Sequence, residues 1–185
     1  MPLRVNTASI EFERSTFADA ALAQRAVSIG TAISSWQSWC DNHLEATLSL
    51  DDAELERRPE LIAWLFPTGG RSHAAPNAPV IGRRELRALA ESDPAIQHVL
   101  RRSFARVARM LGLVTAEGRL QWAGEAQAWA QTVRRDSRVY RMLRCLHVAG
   151  LEEAQPLMRF LVAELGGDPA RAEALSWFRH QVATR

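Results

Sequence analysis

Three groups of residues have types and spacings that invite chemistry. Cys40 and His43 stand three apart with Asp41 between them, close enough to share a helix face. A zinc site typically needs four ligands, and an activated nucleophile needs an oriented base. The local set stops at this pair. The five histidines are scattered, and none forms an HExxH or CxxC pattern. Gly69-Gly70 followed by Arg71 offers a flexible turn, but lacks the lysine and the second glycine spacing of a phosphate-binding loop. The acid pairs Asp51/Asp52 and Glu152/Glu153 are adjacent, so on a helix they point in different directions. They sit near expected helix starts, where negative charge is favoured. The chain is therefore expected to hold no catalytic set, no cofactor and no metal.

The arginines carry more weight. All 23 basic residues are arginine and lysine is absent. Arg101, Arg102, Arg106 and Arg109 form one stripe; Arg134, Arg135, Arg138, Arg141 and Arg144 form another. Guanidinium forks suit phosphates and carboxylates. If helices over about 94–111 and 134–147 lie side by side, they offer a surface for nucleic acid or another polyanion. Acids are available to pair with them, however. Residues 1–60 hold 5 Arg against 10 Asp and Glu, a net of −5, while residues 61–185 hold 18 against 11, a net of +7. The favoured expectation is that the two parts face each other and their charges pair.

The elements that must position these residues are helical. A chain of 185 residues, 47% hydrophobic and 24% charged, suits one domain with a sizeable core. No apolar run approaches the roughly 20 residues that span a bilayer. The start "MPLRVNTASIEFER" has no uninterrupted apolar stretch of a signal peptide. The expected address is the cytoplasm, with Cys40 and Cys145 reduced. Arginine in place of lysine, with abundant alanine, is associated with GC-rich bacterial genomes.

Proline and glycine punctuate helical periodicity, which predicts an all-α domain of about seven to nine helices. Residues 1–14 are expected to be loose, with the domain over 15–185. Ser15 or Thr16 caps a helical stretch that Gly30 divides. Ser49 and Asp51 are cap candidates for "SLDDAELERRPELIAWLF", and Pro59 places a break near Arg58 with a new helix behind it. A long loop fills 67–82. Asp93 then Pro94 give the clearest start signal, for a helix to Leu111 stopped by Gly112. Its apolar face is Ile96, Val99, Leu100, Phe104, Val107 and Leu111; His98, Arg101, Arg102, Arg106 and Arg109 lie opposite. Further helices are predicted over Leu120–Arg134 and Ser137–Ala149, and within "EEAQPLMRFLVAEL" and "DPARAEALSWFRHQV".

The stretch "LIAWLFPTGGR" packs apolar residues at 61, 62, 64, 65 and 66, all round a helix, before Pro67 stops it. That pattern reads as a core anchor, with Trp64 buried. The longer segment "LSLDDAELERRPELIAWLFPTGGRSHAAPNAPVIG" resembles the conserved domain of the opioid growth factor receptor family. Leu55, Glu56, Ile62, Trp64, Leu65, Phe66 and Pro67 match its core, with Ser72, Ala78 and Pro79 behind. "SFARVARMLGL" and "SRVYRMLRCLHVAGLEEAQPLMRFL" resemble two later blocks, so the likeness runs over about 48–165. The family's usual histidine, aromatic and glutamine are Pro59, Leu61 and Ala63 here, and no role resting on them carries over. The resemblance implies a non-enzymatic binding or regulatory module whose partner is a peptide or protein; the opioid ligand itself is not expected in a bacterial chain. An enzyme with a site assembled from distant residues is the remaining alternative. The candidate partner-binding residues are Arg71, Ser72, His73 and Asn77 in the loop, with Arg138, Arg141 and Arg144.

Overall fold

A computed structural model describes residues 7–116, 119–122 and 137–165. Among them the chain forms seven helices and one two-stranded sheet, so the architecture is all-α. The first helix, α1, runs unbroken over Thr7–Ser49. It starts before the expected caps at Ser15 and Thr16, so residues 7–14 belong to the helix. It also passes through Gly30, where a Cβ would meet nothing within 4 Å. A glycine inside a helix costs only about 1 kcal/mol against alanine, too little to divide this one. The C-terminal part of α1 meets the core through Trp36, Leu44 and Thr47, with Ile33, Cys40 and Leu48 half-buried beside them.

The next two starts follow local chemistry. Asp51 caps α2 (Asp52–Glu56) with a complete capping box: Glu54 N–H donates to Asp51 Oδ1 at 2.7 Å, and Asp51 N–H donates back to Glu54 Oε2 at 3.3 Å. Pro59 opens α3 (Pro59–Leu65), where its missing N–H has no helical partner to lose. This short helix is the anchor. Leu55, Ile62, Ala63, Leu65 and Phe66 are all buried, and so is Pro67.

The loop over 66–82 leads to α4 (Arg83–Ser92), a helix that the sequence reading passed over. Asp93 both closes α4 and caps α5 (Pro94–Met110), accepting the Ala95 N–H at 2.8 Å. The expected inward face of α5 is buried at Ile96, Leu100, Phe104, Val107 and Leu111. Gly112, at φ 69°, ends it in the left-handed region open to glycine.

The chain then forms a hairpin. Strands β1 (Leu113–Ala116) and β2 (Arg119–Trp122) pair antiparallel, with Leu113 opposite Trp122 and Ala116 opposite Arg119. This corrects the reading of a helix from Leu120, whose first residues are β2; residues 123–134 lie outside those described. The strand signal was present but short. Leu113 is buried and Val114 exposed, and Leu120 is buried and Gln121 exposed, an alternation with period two.

Helix α6 (Ser137–Val148) buries Val139, Met142, Leu143 and Leu146 as expected, and Gly150 at φ 74° turns the chain into α7 (Ala154–Leu165). The helix expected within "DPARAEALSWFRHQV" lies outside the described residues. Helix α5 packs against α1, α2, α4 and β1, while α6 packs against α3, α4 and α7. The central core thus joins α3 to α1 and α6, and α4 to α5 and α6, and the loop 66–82 is tied to α6 through Arg141.

No described helix is long and apolar enough to cross a membrane.

Candidate functional site

The loop after α3 is a closed Ω-type loop held at its neck and lined by small side chains. Thr68 and Val80 form a parallel bridge, and Ile81 N–H donates to the Thr68 carbonyl at 3.2 Å. Inside, Ala78 N–H donates to the Ala75 carbonyl at 3.0 Å. Ala75 and Ala78 are buried against Ala63 and the half-buried Trp64. Pro79 is buried as well. With its neck and floor fixed, the loop turns Arg71, His73 and Asn77 to solvent and leaves Ser72 half-buried.

Trp64 is not the deep anchor that the sequence suggested. It lies half-buried between the loop and α1, stacked on Trp39 with ring centroids 5.4 Å apart and an 18° tilt. The fully buried tryptophan is Trp36, whose Nε1–H donates to the Trp64 carbonyl at 2.8 Å. That bond ties α1 to α3 at the point where the loop begins. Beside Trp39, an open groove of about 240 Å³ is lined by Trp39, His43, Thr47, Arg58 and Leu61.

The arginines of α6 reach the same loop. Arg141 Nε–H donates to the Phe66 carbonyl at 3.0 Å, and its Nη1 donates to the Gly70 carbonyl at 3.3 Å. The guanidinium is half-buried, and burial, with the neighbouring charge of Arg144, pushes its pKa down from the usual arginine value. Arg141 therefore acts as a clamp on the loop neck rather than as part of an outward stripe. Arg144 is exposed and lies next to Gly70, and Arg138 is half-buried one turn before Arg141. The structure thus brings Arg141 and Arg144 of α6 to Phe66 and Gly70 at the start of the loop that carries Arg71, Ser72, His73 and Asn77.

The α5 stripe is largely consumed by the fold. Arg106 is 6% exposed; its Nη2 donates to the Leu50 carbonyl at 2.6 Å and its Nε to the Leu48 carbonyl at 3.2 Å. Its Nη1 lies 2.7 Å from Asp52 Oδ1, an ion pair without hydrogen-bond alignment. Arg101 Nε donates to Glu153 Oε1 at 2.8 Å. Arg102 grips Glu45 with both nitrogens, at 2.6 and 2.7 Å. The acidic N-terminal part and the basic remainder do meet, through Glu45 and Asp52. The placing of Arg106 on an outward face is overturned, because its stem carries the charge into the α1–α2 junction. Arg134 and Arg135 lie outside the described residues.

The Glu45–Arg102 pair has a pH signature. The hydrogen bond from Arg102 holds the Glu45 carboxyl below its ordinary value of 4.5. A depressed folded pKa stabilises the fold above the unfolded value and loses that contribution as pH falls through the folded value. Both groups are solvent-exposed, so the effect is small. Glu45→Gln is expected to leave the melting temperature at pH 7 nearly unchanged and to remove part of its decline below pH 4.5. A melting series from pH 7 to pH 3 checks this.

Cys40 and His43 do not form a reactive pair. Burial, then the Asp41 charge, raise the Cys40 pKa to about 12. Burial likewise raises that of Cys145. Both thiols stay protonated at neutral pH and serve as packing groups. His43 tilts against Trp39 at 6.1 Å. Among the described residues no cluster of three or more His, Cys, Asp or Glu has metal-binding geometry.

A small cavity opens where the loop neck, α4 and α6 meet. Ile81, Leu86 and Val148 line it together with Thr68, Arg83 and Arg144. Sequence reasoning missed Arg83 and Thr68, since nothing local marks them; only the return of the chain at 80–83 sets them beside α6. Comparison of the chain with protein-family models, with curated proteins and with solved structures returned no match.

Proposed function

We propose that this chain is a non-enzymatic binding module for a peptide or protein, of the kind that its likeness to the opioid growth factor receptor conserved domain implies. One observation carries the reading: a long polar loop is held in a single conformation by ties from three sides. Its neck is bridged at Thr68–Val80, Arg141 donates to two of its carbonyls, and Trp64 closes over its alanines. A loop ordered before it meets a partner avoids the entropy cost of ordering on binding. Its exposed side chains, Arg71, His73 and Asn77, are adaptable polar contacts at the rim of a surface that also carries the exposed Val80. Loops positioned by a rigid scaffold are where binding residues concentrate.

The arginine stripes support a polyanion partner less well, because Arg101, Arg102, Arg106 and Arg141 are engaged within the fold. Selection from a displayed random-peptide library tests the proposal. Peptides enriched on the native chain are expected to bind at least tenfold more weakly to the triple variant Arg71→Ala, His73→Ala, Asn77→Ala. That variant should melt within about 2 °C of the native chain, since exposed substitutions change stability little. Peptides that bind both chains equally remove the loop from the interface. A low-salt titration in which DNA or RNA binds instead, with strong salt dependence, supports a polyanion partner.

A further inference from the structure

The groove beside Trp39 lies between α1 and the start of α3. One wall is a single stripe of α1: Trp39, His43, Ala46, Thr47 and Leu50. At 3.6 residues per turn these positions fall within an arc of about 100°, over about 16 Å of helix. The other wall is Arg58 and Leu61. The two helices are held to each other by the bond from Trp36 Nε1–H to the Trp64 carbonyl and by the Trp39–Trp64 stack. The walls are therefore fixed before any ligand arrives.

The lining is graded. Thr47 is buried, Trp39, Leu50 and Leu61 are half-buried, and His43, Ala46 and Arg58 are exposed. The larger apolar side chains thus lie deeper than the guanidinium. Arg58 makes no side-chain hydrogen bond or ion pair with a described residue. No acidic side chain lines the groove.

Size and charge narrow the occupant. A closed cavity of about 150 Å³ accepts benzene, and this groove offers about 240 Å³. Pockets for drug-sized ligands begin at roughly 300 Å³. The fit is to one ring or two fused rings with a short arm. Tryptophans also suit a quaternary ammonium, but Arg58 repels a cation and no lining acid offsets it. An inorganic anion answers Arg58 and leaves Trp39, Leu50 and Leu61 wet. An aromatic ring that carries a carboxylate answers both parts: the ring packs on Trp39, and the planar carboxylate meets the guanidinium fork. Arg58 precedes Trp64 by six residues, about 9 Å along the helix, so a short arm is enough to join the two.

We propose that the groove between α1 and α3 binds a small aromatic carboxylate, with its ring against Trp39 and Leu61 and its carboxylate on Arg58. Arg71, His73 and Asn77 do not line this groove. The assignment thus goes beyond the loop reading, and neither stands or falls with the other.

Indole-3-acetate is the probe, titrated into the ¹⁵N-labelled full chain and followed by amide and indole N–H shifts. Indole-3-acetamide and cyclohexylacetate are titrated in parallel. A ligand of this size is expected to bind with a Kd of about 0.1–1 mM. Saturable shifts centred on Trp39, His43, Thr47 and Leu61 are expected. The neutral amide and the non-aromatic acid should each bind at least threefold more weakly, a modest factor because the ion pair is exposed. Arg58→Gln should weaken the acid at least threefold and leave the amide unchanged. Arg58 is exposed and gives α3 no side-chain cap, so this variant should melt within about 2 °C of the native chain. Trp39→Leu should weaken acid and amide alike; the Arg58 variant keeps the test valid even if the loss of Trp39 lowers the melting temperature. Equal binding of acid and amide overturns the proposal. So do cyclohexylacetate binding as tightly as indole-3-acetate, saturable shifts centred elsewhere on the chain, or no saturation up to about 10 mM.

Discussion

Trp36→Ala is expected to lower the unfolding free energy by about 3–5 kcal/mol, the range for a large aromatic emptied from a core. The residue is fully buried, so collapse of the surroundings cannot refill a volume of that size. A second loss follows from its indole. With Nε1 gone, the Trp64 carbonyl loses the donor that sits 2.8 Å away. Trp36→Phe isolates that component: it keeps most of the apolar volume and is expected to cost about 1–2 kcal/mol. Trp64→Ala should cost less than Trp36→Ala, because Trp64 is only half-buried, between the stack with Trp39 and the small side chains of Ala63, Ala75 and Ala78. Urea unfolding of the three variants checks the order. A Trp64→Ala loss as large as that of Trp36→Ala would falsify the assignment of Trp36 as the anchor.

Arg106→Met comes next, with an expected loss of about 2–4 kcal/mol. Methionine keeps the apolar stem but removes every donor. The Leu48 and Leu50 carbonyls, at and just beyond the end of α1, lose their side-chain partners in a partly buried setting, and an unmet buried acceptor costs about 1–3 kcal/mol. Asp52 is half-exposed and can turn to water, so breaking the ion pair adds little. The contrast is Arg102→Gln on the same helix. Its partner Glu45 is fully exposed, and no measurable change in stability at pH 7 is expected. Two arginines four residues apart on one helix therefore differ by whether the side chain ends in protein or in water. Urea denaturation of both variants at pH 7 reads the difference directly.

Those two substitutions show why the site was only partly legible. Much of the local chemistry was legible. Asp51 with Glu54, Pro59, Asp93 with Pro94, Gly112 and Gly150 act within three or four residues, and each caps, starts or stops an element where the pattern placed it. The apolar faces of α5 and α6 were legible for the same reason, since a period of 3.6 needs no partner to be visible. The hairpin at 113–122 was not, because four-residue strands carry too few periods to outweigh helical composition.

The sequence by itself determined an all-α fold, most of its element boundaries, the core residues of α3, α5 and α6, and a long loop after Pro67. Tertiary structure alone decided what the polar residues do. A guanidinium on a helix face can be solvated, paired or buried with the same spacing, and the choice depends on segments far along the chain. Arg106 is buried because the chain leaving α1 turns two carbonyls toward it, and Arg141 is a clamp because the loop passes over α6. Arg83 and Arg144 share a cavity only because the loop neck closes at Thr68 and Val80. Long-range proximity of this kind leaves no periodic trace in the sequence, which is why only the tertiary structure shows Arg141 and Arg144 of α6 against the loop neck.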